Sequence, residues 1–254
     1  MMRPAMALLV CALAFGCDEP KKPTGTAKSA APTATTKTTT AASATGKTNP
    51  KEMPELVVDN MGPYLGGRRA DMSGSTGKEK LAAVVKELPP IDNKPLTLLV
   101  DKKAKTSHVA ATVHALGVAG APKITIKTDG RDDLPKQIEV TPESKLGNVP
   151  ACSVAATVLK DFSTAVWPAK GGVGRRQRKG LAGPDLSLTG DLIEKDLAAC
   201  ESSIAFFSGD DEVAWELAFN IAGTLVNADK KKKIDTLVLP AEIPVAGRAL
   251  PFMK

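Results

Sequence analysis

The four cysteines and two histidines are the side chains of this protein best suited to chemistry, and their spacing keeps most of them apart. Cys11 lies inside an apolar run, Cys17 closes that run, and Cys152 and Cys200 lie far downstream. His108 and His114 sit six residues apart on an expected helix, which turns them about 120° from one another and prevents them from sharing a metal ion. Neither a Gly-x-Ser-x-Gly elbow nor a His-Glu-x-x-His pair occurs. GSTGKEK (Gly74–Lys80) shares part of a phosphate loop, but it lacks the leading glycine, and Glu79 stands where Ser or Thr would hold magnesium. These residues imply no catalytic group, no metal site and no cofactor. The acidic triplet Asp210, Asp211 and Glu212 reads as a polar turn after a strand. It also supplies the carboxylates for the enzymatic alternative, a periplasmic hydrolase of cell-wall material. A small-ligand carrier, with an apolar pocket between two halves, is a third reading.

The apolar run explains Cys17. Pro4 to Gly16 carries no charge and is shorter than the roughly 20 residues of a membrane-spanning helix. Arg3 precedes an apolar stretch from Ala5 to Phe15, the layout of a signal peptide over residues 1–16. Two cleavage readings compete. Ala12-Leu13-Ala14 fits an ordinary signal peptidase site, whereas LAFGC (Leu13–Cys17) resembles a bacterial lipobox whose cysteine becomes the lipidated first residue. Ala14 stands where a lipobox usually has Leu, while Gly16 fits. Once Cys11 leaves with the leader, three cysteines remain, an awkward number for an exported protein. Lipidation of Cys17 leaves an even pair, so the expectation is a lipid anchor at Cys17 and a Cys152–Cys200 disulfide.

Residues 17–52 are rich in Thr, Ala, Lys and Pro and hold no Val, Ile, Leu or aromatic residue. Such a composition cannot bury enough apolar surface to offset its ordering entropy, so a disordered tether is expected there. The net charge of +6 is concentrated in this region, since residues 1–50 contain six Lys/Arg and two Asp/Glu. The remainder is nearly balanced, which with export argues against nucleic acid as a partner. The most basic local cluster beyond the tether is GGVGRRQRKG (Gly171–Gly180). Arg175, Arg176, Arg178 and Lys179 are either a solvated hairpin tip or a contact for an acidic partner surface or anionic cell-wall polymer. Trp167 and Trp215 are expected to pack in the interior.

From residue 53 onward the same order of elements occurs twice. ELVVDNMG and PYLGGRR read as paired strands, and GKEKLAAVVKEL has the helical stripe Leu81, Val84, Val85, Leu88. PLTLLVD reads as a strand, SHVAATVHALG as a helix closed by Gly117, and KITIKTD as a strand. The second pass runs through SVAATVLKD, TAVWPAKGGVGRR, DLIEKDLAAC, SIAFFSGDD, VAWELAFNIAGTLVNAD and KIDTLVL. Arg68 corresponds to Arg175, Asp101 to Asp210 and Ile124 to Ile234, a nearly constant offset that indicates an internal duplication. The expected fold is α/β (α+β), with two tandem ββαβαβ units at 53–142 and 150–254. Each is a small mixed sheet with two helices on one face. QIEV is expected as an edge strand, and Thr141 to Pro150 as the linker.

The hairpin GPYLGGRR, the step LTLLVDKKAKTSHVAATVHALG and the closing GAPKITIKTD carry a resemblance. Each unit resembles the periplasmic domain of the ExbD/TolR family of biopolymer-transport proteins. The likeness covers about residues 53–130 closely and 150–240 more loosely. Family members have an N-terminal transmembrane helix with a proton-handling aspartate. This chain has no such helix, so proton coupling is not implied. What the resemblance does imply is a periplasmic docking role toward another envelope protein or the cell wall. The combined expectation is a non-enzymatic, lipid-anchored periplasmic lipoprotein of either bacterial membrane, with a binding or scaffolding role.

Overall fold

A computed structural model describes residues 52–253. The expected leader, Cys17 and all of the tether before Glu52 lie outside the described residues. Three short strands come first: β1 (Leu56–Asp59), β2 (Gly62–Leu65) and β3 (Arg68–Arg69). Then follow α1 (Gly77–Lys86), β4 (Leu96–Val100), α2 (Thr106–Val118), β5 (Ile124–Lys127) and β6 (Gln137–Val140). After a 3-10 turn at Glu143–Lys145 come β7 (Val154–Val158), β8 (Thr164–Pro168) and β9 (Arg175–Gln177). The chain ends with α3 (Leu186–Ala198), β10 (Ile204–Gly209), α4 (Trp215–Ala228) and β11 (Thr236–Val238).

All 11 strands of the described residues join one mixed sheet in the order β3-β2-β1-β4-β5-β6-β11-β10-β7-β8-β9. β1 is parallel to β4, and β4 to β5; β7 is parallel to β10, and β10 to β11. The three-strand runs β1-β2-β3 and β7-β8-β9 are antiparallel. The described residues make one compact unit, so the stretches expected as separate domains share a sheet. QIEV, expected at an edge, lies in the middle: β6 is antiparallel to β5 and parallel to β11. An isolated four-residue strand carries no signal of how many neighbours it has. The tertiary structure gave it two.

The expected second strand of each hairpin divides in two. Gly66 and Gly67 take positive φ values of 59° and 83°, turning the chain between β2 and β3. A conformation of that kind suits glycine because it has no Cβ. Gly171 and Gly172 bend the chain between β8 and β9 in the same way. Gly117 plays a different part from the one expected. α2 continues past it to Val118, and a Cβ on Gly117 would lie 2.3 Å from Pro142 Cβ. The glycine therefore admits the 141–150 segment against α2, and that segment is packed rather than a free linker. Glu143 in its 3-10 turn accepts a hydrogen bond from the Ala241 amide at 2.9 Å.

Residues of all four helices and of the sheet form one core, which includes Leu81, Val109, Ile193 and Phe219. A smaller core forms on the other side of β7, β8 and β10, where Trp167, Phe206 and Val238 meet Leu250 and Phe252 from the C-terminal segment. Burial of every residue of β7 follows, since its two faces contribute to the two cores. Both tryptophans are interior, as expected, with exposures of 1% for Trp167 and 0% for Trp215. Each finds a partner for its indole N–H: Arg248 O at 2.9 Å for Trp167 and Thr128 Oγ1 at 2.8 Å for Trp215. No helix among the described residues is long and apolar enough to cross a membrane.

Candidate functional site

Cys152 and Cys200 are bridged, with their Cα atoms 5.7 Å apart. The third strand of the hairpin makes this geometry work. β7 runs one way, β8 back and β9 forward again, so α3 must return toward the end where β7 began. Cys200 follows α3 and precedes β10, the parallel neighbour of β7, which places it beside Cys152. With only two strands before the helix, the cysteines would lie at opposite ends of the sheet. Ser153 and Ser202 add a buried hydroxyl pair at 2.6 Å beside the bridge.

The basic cluster lies on and just beyond β9, one edge of the sheet. Arg175 donates to Asp196 on α3 at 2.5 Å, and Arg176 donates to Asp161 at 2.5 Å and to Ser163 at 2.8 Å. Burial pushes the Asp196 carboxyl up, while the charge of Arg175 pulls the other way. The Ser163 hydroxyl and the Arg176 charge hold the Asp161 carboxyl below its ordinary range. These two arginines therefore fasten the edge strand. Arg178 and Lys179 are exposed and make no ion pair among the described residues. The four residues expected as one contact separate into two structural and two available cations.

Arg178 and Lys179 lead directly into a loop, Gly180–Pro184, that forms one wall of a groove of about 780 Å³ between α3 and α4. Arg131, Asp133 and Leu134, from the segment before β6, line it from the other half of the chain. α3 contributes Ser187, Gly190, Asp191 and Glu194, and α4 contributes Glu216, Asn220, Thr224 and Asn227. A Cβ on Gly190 would lie 3.5 Å from Thr224 Cγ2, so the helices meet closely at that point. The groove mixes these polar side chains with Leu134, Leu186 and Leu217, unlike the apolar pocket expected of a small-ligand carrier. Sequence reasoning missed it, although the polar residues at four-residue steps along α4 were a signal for it.

The remaining candidates have structural occupations. Asp210 accepts from the Glu212 amide at 2.9 Å, and Glu212 is paired with Lys160 at 3.8 Å. Asp211 accepts from the Ser107 amide at 2.8 Å, across 104 residues. That amide belongs to the first turn of α2, where a carboxylate satisfies a free N–H and complements the helix dipole. Asp211→Ala should lower unfolding free energy by about 1 kcal/mol, as for loss of an N-cap, and Asp211→Asn by less; a shift in denaturant midpoint measures both. An unchanged midpoint for Asp211→Ala would remove the capping role.

His108 and His114 both lie on α2, and each buries an Nδ1 without a protein partner. Burial depresses the His108 imidazole, reinforced by the nearby Lys105 charge and partly opposed by Asp211. No group of three potential metal ligands occurs among the described residues. No family model, curated protein or solved structure matches the chain.

Proposed function

We propose that this protein is a non-enzymatic, lipid-anchored component of the bacterial cell envelope that binds or scaffolds an envelope protein or cell-wall polymer. The observation that carries the reading is the Cys152–Cys200 disulfide. Such bridges persist in oxidising compartments, in keeping with export. The pairing also accounts for both cysteines of the described residues. Cys17 is then the one thiol left over once the leader is removed. Several acyl chains on one cysteine, each gaining about 0.8 kcal/mol per buried CH₂, hold a protein stably at a bilayer. A low-complexity tether behind such an anchor gives the folded part reach from the membrane.

Duplication of an ExbD/TolR-like unit belongs to the same proposal. The orders β3-β2-β1-β4-β5 and β9-β8-β7-β10-β11 are the same path through a sheet, taken twice. Each path has two parallel crossovers through a helix, and right-handed crossovers put both helices on one face. The structural duties of Asp210, Asp211 and Glu212 in turns and a helix cap support binding over hydrolysis. Arg178 and Lys179, exposed beside the edge strand, are the residues we assign to the partner or polymer contact.

Cys17→Ser should move the protein from the membrane fraction to the soluble fraction, read by fractionation and immunoblot. A wild-type protein that is already soluble and begins at Phe15 would overturn the anchor. Crosslinking in intact envelopes should capture a partner or cell-wall fragment that Arg178→Ala/Lys179→Ala loses. Capture unaffected by that pair would place the contact elsewhere.

A further inference from the structure

Three large apolar side chains stand exposed at one end of the second half: Phe162 at 39%, Leu181 at 112% and Leu188 at 45%. The fold brings them together from separate elements. Phe162 sits in the turn between β7 and β8, and the Thr164–Gln177 pair at the end of the β8–β9 ladder sets that turn beside Arg178 and Lys179. Leu181 follows in the loop that leads to α3. Leu188 lies in the first turn of α3, whose Thr189 hydroxyl meets that of Thr164 at 2.7 Å.

The turn holds Phe162 at a cost. Its φ is 62°, a left-handed backbone that bulky residues rarely adopt and that glycine takes freely. The Phe162 N–H donates to Leu159 O at 2.8 Å, and Asp161 accepts from the Ser163 hydroxyl at 2.6 Å, so the conformation is fixed. Strained backbone of this kind clusters where a function needs the residue that bears it. The charges at this end leave a positive remainder. Arg176 is paired with Asp161, Lys160 is paired with Glu212 at 3.8 Å, and Asp185 caps α3 by accepting from the Leu188 amide at 3.1 Å. Arg178 and Lys179 have no such partner among the described residues.

Apolar points that project from the surface with cations between them suit a protein interface poorly, because the centre of such an interface is depleted in charge. They suit a bilayer surface. Leu and Phe enter the boundary between headgroups and acyl chains, while Arg and Lys stay with anionic headgroups. We propose that this end of the sheet rests on an anionic lipid bilayer, with Phe162, Leu181 and Leu188 entering the interface and Arg178 and Lys179 contacting lipid phosphates. The proposal rests on the anchored reading, in which Cys17 and the tether keep the folded part close to a leaflet. It goes beyond that reading by giving the two cations a lipid to face, which fixes the side of the fold that a partner meets.

The test uses full-length protein reconstituted into vesicles, with Leu181→Trp as the reporter. Trp167 and Trp215 are buried and give a constant background. In vesicles of phosphatidylcholine and phosphatidylglycerol, Leu181→Trp emission should shift to the blue and be quenched by brominated acyl chains. Val173→Trp, which precedes β9 and so lies at its opposite end, should stay unquenched. Adding Arg178→Ala/Lys179→Ala to the reporter should lower the ratio of inserted to free tip about 30-fold, at roughly five- to sixfold per cation. Phe162→Ser should lower it about tenfold, and vesicles of phosphatidylcholine alone should lower it as much as loss of both cations does. Flotation separates this proposal from the anchor. Protein that floats with neutral vesicles carries the anchor, and an unquenched Leu181→Trp in such protein on anionic vesicles overturns the proposal. Protein that does not float lacks the anchor; the reporter is then read after mixing with anionic vesicles, and the same two results decide. Quenching indifferent to Arg178→Ala/Lys179→Ala, or equal at Val173→Trp, also overturns the proposal. An unquenched reporter, with envelope crosslinking still lost in Arg178→Ala/Lys179→Ala, assigns the cations to a protein or polymer instead.

Discussion

The Cys152→Ser/Cys200→Ser variant should unfold with a free energy about 4 kcal/mol below that of the wild type, the value expected on chain-entropy grounds for a loop of this length. The bridge spans 48 positions and closes a loop that contains β7, β8, β9 and α3. In the unfolded chain it removes most of the freedom of that loop. In the folded protein it joins the entry ends of two strands already paired in parallel, Ala205 opposite Val154. The Ser153–Ser202 hydroxyl pair holds the same two ends, so native geometry should survive in the variant and the loss should appear in stability. Urea unfolding of wild type and variant measures it, with equal slopes indicating similar exposure of surface. Alkylation of both cysteines in unreduced protein, or midpoints that coincide, would contradict the bridge.

The second large effect is expected at Trp215. Trp215→Ala should destabilise the protein by about 3–5 kcal/mol, the range for truncating a buried aromatic residue. The side chain is fully buried at the start of α4, with ring centroids 6.2 Å from Phe207 and 6.3 Å from Phe219. Its indole N–H donates to Thr128 just after β5, and its backbone N–H donates to Ala104 O at 3.2 Å. These contacts join the second half of the chain to the first. Trp215→Phe keeps most of the packing and loses the hydrogen bond, so about 1 kcal/mol is the expected cost. With the halves sharing a sheet and a core, the wild type should unfold in a single transition by circular dichroism. Two separated transitions, with Trp215→Ala moving only the later half, would show the halves to be energetically independent.

The two cysteines show where sequence reasoning stops. Their pairing was expected from parity, on the reading of an exported chain whose third thiol, Cys17, carries a lipid. How they meet was not legible, because it depends on β9. A strand of three residues flanked by glycines leaves no periodic signal, yet it reverses the direction of α3 and brings Cys200 to Cys152. The basic cluster divides for a related reason. Type and proximity group Arg175, Arg176, Arg178 and Lys179 together, but only folding places Asp196 and Asp161 within reach of the first two.

The groove is the other instance. The step of four from Glu216 through Asn220 to Thr224 could be read along α4, but no local pattern shows that α3 presents Asp191 and Glu194 opposite. Gly117 followed the same course, read as a helix end and found to be a close approach to Pro142.

By itself the sequence determined the four helices and every strand but β3 and β9, in their order, because periods of 3.6 and 2 register which face of each segment is apolar. It also determined the interior placement of both tryptophans and the chemistry open to each side chain. The tertiary structure decided that β6 stands between the halves, that the two passes form one sheet, and that Asp211 caps a helix 104 residues away. Apolar periodicity states that a face must be covered. Which partner covers it depends on hydrogen bonds and packing between residues distant in the chain, and those come into contact only when the whole chain has folded.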